Sequence, residues 1–320
     1  MNENAPRADG LPPTPEWERK LLDQFAFAAL REQRLARRWG IFFKFLAFAY
    51  VLAFIALSIP QLGTVNPFGA DKITALIDVQ GVIAQDSDAS ADMIITGLRA
   101  AFENKSTAGV IIRINSPGGS PVQAGYINDE IYRLKENHPE TKVYAVIQDI
   151  CASGGYYVAA AADEIYADKA SIVGSIGVRM DSFGFVEAIE KIGVERRLLT
   201  AGEHKGFLDP FLPLDKAEVM HVSGLLGEIH QQFINTVLKG RRNKIHQSPE
   251  LFSGLVWTGE NALKNGLVDA LGSAGYVARE IIKAEDIVDF TPKRGVFDQV
   301  AKRFGTEFSS ALKTLVTPSW

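Results

Sequence analysis

The chain has 320 residues, 47% of them hydrophobic and 22% charged, with a formal net charge of −4 at pH 7. That suits one large globular domain or two smaller ones with tails, and it offers no basic face or motif for nucleic acid. The single cysteine, Cys151, excludes an intrachain disulfide and a cysteine-cluster metal site and reads as a small core residue.

Residues 1 to about 15 carry Pro and Asn and read as a disordered tail. From Glu16 to Arg38, Leu21, Leu22, Phe25, Ala29 and Leu30 recur at helical spacing beside charges. This amphipathic helix fits a membrane surface, a partner, or a simple lead into the next segment. Ile41–Ile59 (IFFKFLAFAYVLAFIALSI) has roughly the length needed to cross a bilayer core. Its one charge, Lys44, is near the start and can snorkel. Arg31, Arg34, Arg37 and Arg38 precede it, so the positive-inside rule puts residues 1–40 in the cytoplasm and the remainder outside. A cleaved signal peptide and a buried core helix are the alternatives. The length of the run and of the tail before it favours a retained anchor.

Residues 60–72 form a Pro/Gly linker. Residues 73–290 then read as one α/β domain. Strands are expected at Ile73–Val79, Gly109–Asn115 and Val143–Ile147, alternating with helices at Met93–Asn104 and Gln123–Lys135 and a further helix opening near Ser153. Such alternation means βαβ units and a largely parallel sheet. Functional loops on these sheets lie at the carboxyl ends of strands, where Gly118-Gly119 and Gly154-Gly155 both fall. Leu214–Arg242 is a long helix whose face Val219, Val222, Leu225, Leu226, Ile229, Phe233 and Val237 is expected to pack in the core. Helices follow at Gly259–Val268 and Tyr276–Lys283. In the tail 291–320, Phe297, Val300, Phe304, Phe308 and Leu312 repeat at helical spacing opposite Lys302, Arg303 and Lys313. That amphipathic face fits a membrane, a subunit contact, or a return toward the active sites.

Ser153 lies between small residues and is followed by Gly154 and Gly155. A serine at a strand-to-helix turn exposes its hydroxyl, and the first amides of the helix can hold an oxyanion. Ser-Gly-Gly alone equally describes a Gly-rich turn packed under a helix. A nucleophilic serine needs a base. None of the five histidines (His138, His204, His221, His230, His246) has an evident carboxylate partner by motif, there is no Gly-x-Ser-x-Gly elbow, and no His-x-x-x-His pair points to zinc. Lys169, Lys191 and Lys216 read as surface residues. Arg113 and Asp129 are candidates for structural ion pairs.

Five segments together resemble the bacterial signal peptide peptidase A family, in its short single-repeat form: Arg113-Ile-Asn-Ser-Pro-Gly-Gly119, Ala152-Ser-Gly-Gly-Tyr-Tyr157, Gly174-Ser-Ile-Gly-Val178, Ala201-Gly-Glu-His-Lys205, and Val256-Trp-Thr-Gly-Glu260 with Gly266-Leu-Val-Asp269. The resemblance runs from about Ile73 to Ile287. It implies a Clp protease/crotonase-like fold and a membrane-anchored serine endopeptidase without cofactor, cutting signal-peptide remnants or other extended envelope peptides through an acyl-enzyme. Ser153 falls on the nucleophile, Lys205 on the general base, Ser175 on the hydroxyl that orients the lysine, and Gly119 and Gly154 on the oxyanion-hole amides. It also implies a homo-oligomer, an octamer among the forms expected, with Ser153 and Lys205 meeting across a subunit boundary. The expected location is the bacterial inner membrane with the catalytic domain periplasmic. Two departures stand out: Ser120 replaces a frequent glycine, and Gly206–Pro213 is bulkier than in many relatives. The other classes weighed are a crotonase-like acyl-CoA enzyme, which needs neither Ser153 nor Lys205, and a non-catalytic membrane scaffold.

Overall fold

The computed structural model describes residues 16–58, 72–246 and 248–293. The chain divides into two compact units, Met1–Val65 and Asn66–Trp320. In the first, one helix, α1 (Glu16–Ser58), runs without a break through the stretches that the sequence separates into an amphipathic helix and a membrane span. Trp39, Phe42, Phe45, Phe48 and Tyr50 are all exposed on it. No helix among the described residues is long and apolar enough to cross a membrane. The amphipathic C-terminal face, Phe297 to Leu312, lies outside the described residues, as does nearly all of the linker 60–72.

The second unit is a mixed α/β fold with a mainly parallel sheet, which fits the Clp/crotonase-like architecture. In chain order come β1 (Ile73–Gln80), α2 (Ala91–Glu103), β2 (Thr107–Ser116), α3 (Pro121–Asn137), β3 (Lys142–Ala152) and α4 (Gly154–Ala159). After these follow β4 (Glu164–Ala167), β5 (Ile172–Gly174), α5 (Val186–Lys191), α6 (Lys216–Arg241), β6 (Val256–Thr258), α7 (Gly259–Lys264) and β7 (Ala270–Leu271). A short turn of helix, α8 (Ala274–Tyr276), runs into a π-helical segment (Val277–Ile282), and β8 (Ile287–Asp289) closes the unit. The strand order is β6-β5-β3-β2-β1-β8, with β4 pairing to both β3 and β7. Among the described residues the β5–β6 pair alone is antiparallel.

The three central strands read as near-continuous apolar runs because both sheet faces are covered. Register places Ile77 beside Ile112, and Ile112 beside Ala145. The main core, on the helical face, joins Ile94 and Leu98 of α2, Ile127 and Ile131 of α3, and Val158 of α4 to these strands. A smaller cluster on the other face packs Leu76, Ile111 and Val146 against Tyr166 and Val277. α3 starts where Ser120 accepts from the Gln123 amide and Pro121 occupies the first turn.

α6 corrects one expectation. Phe233 and Val237 are buried, but Val219 and Leu225 are exposed and Met220 is 75% exposed. The C-terminal half packs on the sheet and α4: a Cβ on Gly240 would lie 1.8 Å from the Ala160 carbonyl oxygen, and Phe233 packs on Tyr157 at 5.1 Å between ring centroids. The N-terminal half carries its apolar residues past the core. Arg113 pairs through two 2.6 Å bonds with Asp78, not with Asp129.

Glu130 joins α2 to α3. It is 8% exposed and accepts from Arg133 and Arg99, whose guanidiniums overcome its burial and hold its carboxyl down at about 2. A depressed carboxyl contributes stability that is complete above its unfolded pKa and is lost as pH falls through the folded one. Since both arginines are about half exposed, Glu130→Gln is expected to cost about 1–2 kcal/mol at pH 7. Urea unfolding at several pH values should show the gap constant above pH ~5 and closing toward pH ~2.

Candidate active site

Four loops converge at the carboxyl ends of β1, β2, β3 and β5. β3 ends at Ala152, which pairs with Gly174 at the end of β5. The next residue on each strand is a serine, Ser153 and Ser175, and each has φ of +52°. That left-handed conformation is unusual for a residue with a Cβ and marks a strained turn. Two hydrogen bonds hold it: the Ser153 amide donates to Gly174 O and the Ser175 amide to Leu255 O, both at 2.8 Å. Ser153 is half-buried at the N-cap of α4, and its own carbonyl accepts from the Tyr157 amide. α4 is pinned from below by Tyr156, whose hydroxyl donates to Leu267 O, and by Asn128, whose amide donates to Tyr157 O.

The loop after β2 closes over this turn. Ser116 donates its hydroxyl to Gly81 O and accepts from the Gly118 amide. Ile83 bridges to Gly119, donating to Gly118 O and accepting from the Ser120 amide. Gly119, with φ of +151°, cannot carry a side chain: its Cβ would sit 2.1 Å from Ile83 O. At Gly118 a Cβ would lie 2.6 Å from the Ser153 Cβ. Among the described residues neither the Gly119 nor the Gly154 amide donates to a partner, and a Cβ on Gly154 would be 3.2 Å from the Gly119 nitrogen. Two backbone donors without a partner among the described residues therefore lie beside the Ser153 turn, an arrangement that suits acyl transfer through a tetrahedral oxyanion.

Four of the five sequence-predicted residues are thus brought together: Ser153, Ser175, Gly119 and Gly154. Lys205 is not. It lies in the exposed stretch between α5 and α6, its amide donating to Gly202 O at 3.2 Å and its amine making no hydrogen bond or ion pair among the described residues. Cys151 is fully buried and burial pushes its thiol up, so it is a core residue beneath the turn. His230 contacts Ile176 O at 3.1 Å, and His204 is exposed. Sequence reasoning missed Asn115 and Ser171, which brace β3 just before the serine. The signal was available for Asn115, a polar break at the end of a β-branched run.

A strained serine beside two glycine amides without partners among the described residues, at the carboxyl edge of a parallel sheet, is an arrangement that a serine peptidase can use. The comparisons agree. The sequence pattern of peptidase family S49 matches residues 135–287, and a putative protease of Synechocystis is 34% identical over 203 residues, covering 63% of this chain and 70% of that protein. The chain belongs to peptidase family S49. A putative signal peptide peptidase SppA of Enterococcus faecium is 28% identical over 236 residues, 71% of this chain and 68% of that one. A protein of Brucella melitensis named Na(+)/H(+) antiporter NhaA is 50% identical over 175 residues, 55% of this chain, and the match spans only 24% of that protein's length.

Proposed function

We propose that this chain is a membrane-anchored serine endopeptidase with a Ser153–Lys205 dyad, in which a neighbouring copy of the chain brings the lysine to the serine. The observation that carries the reading is the Ser153 turn, a serine at φ of +52° beside the Gly119 and Gly154 amides, which have no partner among the described residues. In the cycle, the neutral Lys205 amine takes the Ser153 proton as Oγ attacks a peptide carbonyl. The oxyanion lies against the two amides. The lysinium then protonates the leaving amine, and water, deprotonated by the same lysine, releases the acyl group. Ser175, level with Ser153 on the adjoining strand end, orients the amine.

A lysine is protonated at neutral pH and must be desolvated to act as a base. Lys205 is exposed in the single chain, so another surface must cover it. The same region exposes Phe183, Ile192, Leu199, Leu214 and Met220, large apolar side chains of the kind that subunit contacts cover. A homo-oligomer, an octameric ring in this reading, covers both. Extended peptides of the envelope, signal-peptide remnants among them, are the substrates; the name of the Enterococcus faecium relative supports that choice. An acylating serine probe should label Ser153 in the wild-type chain and leave Ser153→Ala unlabelled; equal labelling of both removes the assignment.

Ile41–Ile59 is the anchor in this reading, with the N-terminus cytoplasmic and the peptidase unit periplasmic. The arginines before it and the uncovered aromatic residues of α1 support this. The full chain should stay in the membrane pellet through an alkaline carbonate wash, while a chain lacking residues 1–59 should be released. Release of both sinks the anchor.

A further inference from the structure

The pairing of β2 with β3 breaks just before the nucleophile. Ile114 faces Ile147, but the next pair is Ser116 with Cys151. β3 therefore holds two more residues than β2 across this step, and they form a bulge at Gln148–Ile150. At the same place β3 changes its outer neighbour, pairing through Tyr144–Ile147 with β4 and through Ile150–Ala152 with β5. Bulges beside active sites re-aim the residues that follow. Here the residue that follows is Ser153.

The bulge is braced from both sides. On the β5 side, the buried Ser171 donates its hydroxyl to Gln148 O and accepts from the Asp168 amide. On the β2 side, Asn115 accepts from the Ile150 amide at 3.3 Å and donates its carboxamide N–H to the Asp149 carboxylate at 3.0 Å. The backbone carbonyl of Asn115 accepts from the Gly81 amide. The next residue, Ser116, holds the Gly118 amide of the loop that carries Gly119. Asn115 is thus tied on one side to the strand that aims the nucleophile and on the other to the loop that supplies an oxyanion donor.

We propose that Asn115 is a positioning residue of this site, its carboxamide fixing the bulge of β3 and hence the offset between the Ser153 hydroxyl and the Gly119 amide. The inference rests on the peptidase reading above. Only a carboxamide of this length gives the bulge both an acceptor for the Ile150 amide and a donor for Asp149. Aspartate at this position would set two carboxylates against each other, and glutamine is one methylene too long.

The test is hydrolysis of a quenched fluorogenic peptide of apolar residues by the full chain, comparing wild type with Asn115→Asp, Asp149→Asn, the two combined, and Ser153→Ala. Asn115→Asp is expected to lower kcat by about 10²-fold with KM little changed, since small misplacements of reacting groups carry costs of that size. The combined variant reverses the pair, restores both hydrogen bonds, and should regain most of the lost kcat. Asp149→Asn should lose less than Asn115→Asp. Wild-type kcat in Asn115→Asp, a combined variant no better than Asn115→Asp, or a loss of melting temperature with unchanged kcat overturns the proposal. Equal hydrolysis by wild type and Ser153→Ala shows instead that the peptidase reading has failed and takes this inference with it.

Discussion

Ser153→Ala is expected to lower peptide hydrolysis by about 10⁴-fold or more while leaving the fold in place. The size follows from the chemistry: without Oγ there is no acyl-enzyme, and the Gly119 and Gly154 amides alone give only the residual acceleration of an oxyanion site. The fold should survive because the Ser153 side chain makes no hydrogen bond among the described residues; its turn is held by its backbone, through Gly174 O and the Tyr157 amide. Alanine at φ of +52° adds no strain that serine lacks. Steady-state kinetics beside circular dichroism decides it. Activity within tenfold of wild type would remove Ser153 from the chemistry.

Lys205→Met should be almost as damaging, and its pairing with Ser153→Ala tests where the base comes from. Each variant alone is expected to be inactive. Unfolded together in equal amounts and refolded into mixed oligomers, they should regain about a quarter of wild-type activity, because a site formed between copies is intact whenever an unaltered serine meets an unaltered lysine. Continued inactivity of a mixture shown to co-assemble would place both residues in one chain or exclude the lysine.

Much of this site could be read from residue order. The Ser153 turn showed itself as Ser-Gly-Gly before a small apolar run, whereas Ser175 was reached only through the family resemblance of Gly174-Ser-Ile-Gly177. β1, β2 and β3 were legible because long β-branched runs leave little else to form. β4, β5 and β7, with two to four residues each, carry no period and take their conformation from the strands beside them. The face of α6 was legible as apolar, but one amphipathic stripe looks the same whether it meets the chain's own core or another surface. For the same reason the surroundings of Lys205 could not be read: in the single chain its side chain is exposed and makes no hydrogen bond or ion pair among the described residues. The bulge at Gln148–Ile150 left no sequence trace, since a strand that gains two residues keeps its apolar character on both sides of the gain.

The split of β3 between two outer neighbours also bears on when the Ser153 turn is completed. Its outer half is completed by β5, which is itself completed by β6 at Val256–Thr258, and the Ser175 turn hangs from Leu255 O. Contacts so distant along the chain form late in folding. A ribosome that has made only the first two hundred residues therefore holds Ser153 without its finished cradle, which is assembled only after Val256–Thr258 has joined the sheet.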